Sequence, residues 1–185
     1  MTATEYIQFK AFARVDGLWV AVLWISSFLF YLLGLSRPTY GIVAMLLMLS
    51  VPFVLGILLK RYRNDVLNGI ISFARGWGYT VLASFYGSLL FGLSVFAYFR
   101  FLDNGYLFTT LDQILKSAEM APVIEQGNLG AMVSQSLEQM RSMRPIDLTL
   151  NLMVSGMMAS MLLALPIAAL LQKNGQPTNR KPSKQ

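Results

Sequence analysis

The sequence predicts an all-α integral membrane protein: a four-helix bundle with a helical extracytoplasmic excursion between its third and fourth spans. Three observations predict it. Apolar residues make up 55% of the 185 residues and charged residues only 13%, roughly half the charged share of an ordinary soluble chain. A soluble protein of this size has too much surface to leave so thinly charged. Four runs, residues 18–35, 40–59, 76–99 and 148–171, contain no Asp, Glu, Lys or Arg. Each is near the ~20 residues that cross a ~30 Å hydrocarbon core at 1.5 Å per residue. Lipid offers the backbone no hydrogen bonds, so runs this long and continuous must be helical.

The first run is too long for a leader's apolar region, and Arg37-Pro38 follows it where a small-residue cleavage site would stand. It is therefore read as a span. Ahead of it Thr2 and Glu5 have capping-box spacing, and Tyr6, Phe9, Phe12, Ala13 and Val15 offer an apolar face. The first helix is expected to begin near Ala3 and to lie partly in the interface. Pro52 and Pro166 sit inside the second and fourth runs, where a missing donor and a crowded turn predict a kink.

In the third run Thr80, Ser84, Ser88 and Gly92 recur every four residues, as do Gly156, Ser160, Ala164 and Ala168 in the fourth. Residues four apart share a helix face, and small ones let backbones approach. The two stripes are expected to form a packing seam, with Gly92 level with Gly156 and Thr80 level with Ala168 in an antiparallel pair.

Between the third and fourth runs the pattern turns amphipathic. Leu111, Ile114, Leu115 and Ala118 fit a short helix limited by Pro122. Leu129, Met132, Val133, Leu137, Met140 and Met143 give a longer one, both expected to cover the outer end of the bundle. Residues 1–171 are thus read as a single membrane domain with its helical excursion at about 100–147. The tail, 172–185, has no apolar face and is expected to be a disordered cytoplasmic segment.

Basic residues set the orientation. Lys10 and Arg14, then Lys60, Arg61, Arg63 and Arg75, then Lys173, Arg180, Lys181 and Lys184 put ten of the 15 Lys and Arg on one side. By the positive-inside rule both termini and the second link are cytoplasmic. The group Lys60, Arg61, Arg63 and Arg75 is read as a topology or anionic-lipid patch at headgroup depth. A pI of about 9.7 then reflects phospholipid rather than nucleic acid as the counter-charge.

The chain has no His and no Cys, which removes imidazole bases, thiol nucleophiles, disulfides and zinc-finger sites. Asp103, Asp112, Glu119 and Glu125 show no spacing that binds a metal or does acid–base work and are read as solvent-facing. No catalytic, cofactor-binding or metal-binding residue is expected. Pumps and ion pathways need ionisable groups at membrane depth, and the four runs hold none. The expectation is a non-enzymatic protein of the bacterial inner membrane that binds a partner or organises the membrane. The alternative is an oligomeric transporter or channel subunit for a small solute.

The link 60–77 carries Tyr62, Arg63, Asp65, Gly69, Ile71, Ser72 and Phe73, and the third run exits through Tyr98, Phe99, Leu102 and Asp103. These residues resemble the domain-of-unknown-function 4199 family, small four-span inner-membrane proteins found mainly in Bacteroidota. The sequence departs from that pattern at Asn68 and Ala74, where the family has glycine, and at Asn104, where it has proline. The resemblance implies the membrane location and the four-span fold, and it implies no activity, cofactor or catalytic residue.

Overall fold

A computed structural model of the chain describes residues 3–117 and 130–173. Among these residues there are six helices and no strand: α1 (Ala3–Gly34), α2 (Pro38–Val66), α3 (Phe73–Ala97), α4 (Tyr106–Leu115), α5 (Gly130–Ser142) and α6 (Pro145–Leu171). A π-helical turn, Tyr98–Leu102, prolongs α3. The helices α1, α2, α3 with that turn, and α6 are long and apolar enough to cross a membrane. The protein is therefore a multi-pass, all-α membrane protein. Ala118, Pro122, Leu129 and the acids Glu119 and Glu125 lie outside the described residues, as does the tail from 174 onward.

All four long helices outrun the charge-free runs that announced them. Charge ends the lipid-exposed stretch but not the helix, because Lys and Arg stems reach along the surface toward the headgroups. The helix α1 is one uninterrupted rod of 32 residues, ~48 Å at 1.5 Å per residue and so longer than the core it crosses.

Helices α1 and α3 form the centre, with α2 flanking α1 and α6 flanking α3. In lipid no hydrophobic force drives helices together, so contact depends on close packing of small residues. The closest crossing joins α1 and α3. A Cβ built on Gly17 would stand 2.7 Å from Tyr86 Cβ and 2.9 Å from the Ala83 carbonyl, and one on Gly87 would stand 3.0 Å from Val20 Cβ. The α1–α2 turn is equally tight, since a Cβ on Gly34 would lie 2.7 Å from Gly41 Cα. Deeper in, Ser27 Oγ donates across to the Ala44 carbonyl at 3.0 Å.

The stripe Thr80, Ser84, Ser88 and Gly92 is buried on α3, and Ser160, Ala164 and Ala168 are buried on α6. The pairing differs from the expected one by about a turn. Ala168 Cβ meets Gly76, 3.6 Å from a Cβ built there, and Met153 covers Gly92. Gly156 meets nothing within 4 Å and is only half-buried, because it borders the open space between α6 and α2. Replacing Ser88 with Leu is expected to lower stability in detergent by about 1–2 kcal/mol through overpacking; an unchanged unfolding midpoint would remove Ser88 from the seam.

Helices α2 and α6 run unbroken through Pro52 and Pro166. In each, the carbonyl five residues before the proline receives a side-chain donor. Ser50 Oγ donates to Leu47 at 2.6 Å, and Trp77 Nε1 donates from α3 to Met161 at 3.2 Å. The acceptors the prolines themselves free are the carbonyls four residues back, of Met48 and Leu162, so these bonds add a second donor to the neighbouring carbonyl of the same turn.

The excursion is lighter. The helices α4 and α5 pack on each other, and α5 buries no residue. Asp103 does not face solvent as expected. It is buried and accepts from the backbone N–H groups of Gly105 and Leu107, both at 3.0 Å, capping the start of α4. Asn104, at the position of the family pattern's proline, has φ +43°, a conformation closed to a proline ring.

Candidate functional site

Two features stand out, one at each half of the bundle. The first is a buried ion pair at the end carrying Arg61, Arg63 and Arg75. On α1, Phe9, Phe12, Ala13 and Asp16 follow the three-four spacing of one helix face. That face turns inward, so Ala13 and Asp16 are wholly buried while Tyr6 and Val15, expected on the same face, are exposed. Arg61 of α2 reaches across to Asp16 Oδ1. Tyr79 of α3 donates its hydroxyl to Asp16 Oδ2 at 2.5 Å. The carboxylate thus ties three helices together.

Aromatic rings enclose it. Tyr62 and Tyr79 stack at 4.0 Å between centroids with planes 8° apart. Phe9 meets both edge-on, at 5.9 and 5.6 Å. Beside the stack, Arg75 stands 3.8 Å from Glu5. Arg63 donates to the Leu171 carbonyl at 2.9 Å, serving one of the open acceptors at the end of α6. Ile71 and Lys173 exchange backbone hydrogen bonds of 3.1 and 2.9 Å. The segment read as a free tail therefore remains tied to the bundle as far as Lys173.

Of the basic patch read from the sequence, Arg61, Arg63 and Arg75 have partners within the chain, while Lys60 is exposed. The Arg61 side chain keeps 42% of its surface open, enough to meet a headgroup as well as Asp16. Asn68 and Gly69, which turn the link back toward α3, have φ of +50° and +83°. Ser72 then caps α3, accepting from Arg75 N at 3.4 Å.

The second feature is a crevice of about 650 Å³ between α2 and α6. These walls meet at the basic end, where a Cβ on Gly56 would lie 3.9 Å from Leu171, and separate toward the opposite end. Trp24, Ser27, Ala44, Val51 and Ser160 form a buried floor, whereas Tyr31, Met45, Met48, Leu152 and Leu163 are exposed on its rims. Every lining residue falls inside a charge-free run, which puts the crevice at membrane depth.

The family model described as "Protein of unknown function (DUF4199)" matches residues 16–173. The chain belongs to this family. In this DUF4199 protein the match runs well beyond the 60–103 motifs that carry the resemblance, and it includes Asp16, Arg61, Tyr62, Tyr79 and both crevice walls. No curated protein and no solved structure matches the chain.

The sequence reading missed Asp16 altogether, and Tyr79, which beside Trp77 reads from the sequence as an interfacial anchor, is instead wholly buried against it. The signal was present, since Asp16 continues the Phe9, Phe12, Ala13 spacing. It stands two residues ahead of the first charge-free run, outside the stretch whose composition marks membrane depth. The crevice leaves no mark in the sequence, because it depends on how far α2 and α6 diverge.

Proposed function

We propose that this DUF4199 protein is a non-enzymatic component of the bacterial cytoplasmic membrane, with both termini inside, that binds a partner within the bilayer. The crevice between α2 and α6 is the observation that carries the reading. An apolar concavity with an open side at membrane depth is a binding surface for a hydrophobic molecule, and its volume falls in the ~300–1,000 Å³ range of ligand sites. The orientation rests on the ten basic residues at the two ends and the second link. The non-enzymatic reading is supported by Asp16, whose two oxygens are occupied by Arg61 and Tyr79.

Capture from native membranes in mild detergent tests the role. The expected result is a reproducible bound molecule, lost when Ala159→Phe obstructs the crevice; equal recovery from the variant overturns the reading. The absence of native cysteine makes orientation directly measurable. An impermeant maleimide on spheroplasts should label Ser134→Cys at once and Thr178→Cys only after lysis, and the reverse order would invert the topology.

A second reading, an oligomeric transporter subunit, is favoured by one observation: Asp16 is an ionisable group buried inside a candidate span. Solute uptake into vesicles that Asp16→Asn abolishes, with the fold retained, would select it.

A further inference from the structure

We propose that the crevice between α2 and α6 holds one acyl tail of a phospholipid drawn from the leaflet at the α4–α5 end of the bundle. The inference rests on the partner-binding reading above and names the partner. Four observations converge on it.

The first is length. From Gly41 to Val51 on α2, and from Leu152 to Leu163 on α6, each lining stretch rises about 15 Å at 1.5 Å per residue, half of a ~30 Å core. The crevice therefore starts near headgroup level and stops near the midplane, as a single leaflet's chain does. The second is closure. Below Val51 the walls converge, with Leu59 and Ala168 both packed on Gly76 at 3.5 and 3.6 Å from a Cβ built there. A transmembrane helix of a second copy crosses the whole core, so this groove would seat only about half of its span.

The third is chemistry. The volume of about 650 Å³ would take roughly twenty waters at ~30 Å³ each, and each water needs two to four polar partners. The floor offers few: the Ser27 donor is already given to Ala44, the Ser160 hydroxyl and the Trp24 indole N–H are its remaining polar side-chain groups, and Phe91, Ala44 and Val51 offer none. Hydrocarbon fills such a space at no desolvation cost. Met45 and Met48 on the rim supply adaptable contacts to a chain with many conformers. The fourth is charge. Arg37 stands exposed at the start of α2, one turn before the lining residue Gly41, and has no ion-pair partner among the described residues. Its guanidinium is placed for the phosphate of the lipid whose tail lies below, a contact that favours an anionic headgroup.

Trp24 reports directly, because it lies on the crevice floor and is only 8% exposed. In a variant with Trp19→Phe and Trp77→Phe it is the sole indole. The protein is reconstituted in vesicles of phosphatidylglycerol and phosphatidylethanolamine brominated at mid-chain. Trp24 emission is expected to be strongly quenched. Ala159→Phe and Gly156→Phe, which fill open space on the α6 wall, should each restore most of it, while Val154→Phe on the exposed face should leave quenching unchanged. Arg37→Gln should reduce the preference for phosphatidylglycerol over phosphatidylcholine.

Quenching that is absent, or that both filling variants leave intact, overturns the proposal. So does an Ala159→Cys variant that crosslinks efficiently to a second copy, which would assign the crevice to a dimer. Failure of the underlying reading is separable. A bound protein captured from native membranes and lost in Ala159→Phe, together with unquenched Trp24, would keep the partner-binding role and reject the lipid.

Discussion

Arg61→Ala is expected to be the most damaging single truncation in the basic end of the bundle, lowering unfolding free energy in detergent by about 3–5 kcal/mol. Removing one partner of a buried pair leaves the other charge uncompensated, and that charge is what costs. The two partners are unequal here. Asp16 is wholly buried, whereas the Arg61 side chain is 42% exposed. Deleting Arg61 strands a carboxylate that no solvent reaches, with one hydrogen bond, from Tyr79, remaining. Deleting the carboxylate instead releases a guanidinium that turns outward, so Asp16→Asn should cost less. The decisive measurement is the double variant. Adding Asp16→Asn to Arg61→Ala should recover a large part of the loss, because it removes the stranded charge. Strictly additive losses would show that the two residues do not form an ion pair.

The four spans were legible because the bilayer imposes one requirement on all of them: about twenty uncharged residues with every backbone group satisfied internally. Their true ends were not, since a charged residue at a helix terminus costs little when its head reaches water. The small-residue stripes of α3 and α6 were equally readable as inward-facing positions, but their register was not. A one-turn slip leaves a four-residue repeat in phase with itself, so the pattern carries no information about which of Ala164 or Ala168 meets Thr80. Asp16 was hidden for a different reason. Its partners lie on two other helices, at positions 61 and 79, and no local spacing links an acid to an arginine 45 residues away. The crossing of α1 and α3 falls between these cases. Ala13, Gly17 and Ala21 do form a four-residue stripe, and all three are buried. The stripe straddles the point where charge gives way to the first uncharged run, and so reads as the edge of two patterns rather than as one.

That crossing carries the second large effect. Gly17→Leu is expected to cost about 3 kcal/mol or more, at or beyond the upper end of ordinary overpacking. What distinguishes Gly17 from a buried glycine such as Gly92 is the nature of its neighbours. At Gly92 the atoms in the way belong to Met153, a flexible side chain free to swing toward the open space near Gly156. At Gly17 they are Tyr86 Cβ, the Ala83 carbonyl and the Gly87 amide nitrogen, at 2.7, 2.9 and 3.1 Å. None of these moves unless α3 itself moves. Separating α1 from α3 in turn pulls Tyr79 away from Asp16, one residue from the substitution, so overpacking and loss of the charge tie act together. Even Gly17→Ala should destabilise, although alanine is the better helix former by about 1 kcal/mol. Gly78→Ala on α3, where a Cβ would meet nothing within 4 Å, should show that intrinsic preference alone and be neutral or stabilising. The pair is read by denaturant titration of both variants in one detergent. Two alanines with the same sign would mean that α1 and α3 are not in backbone contact at Gly17.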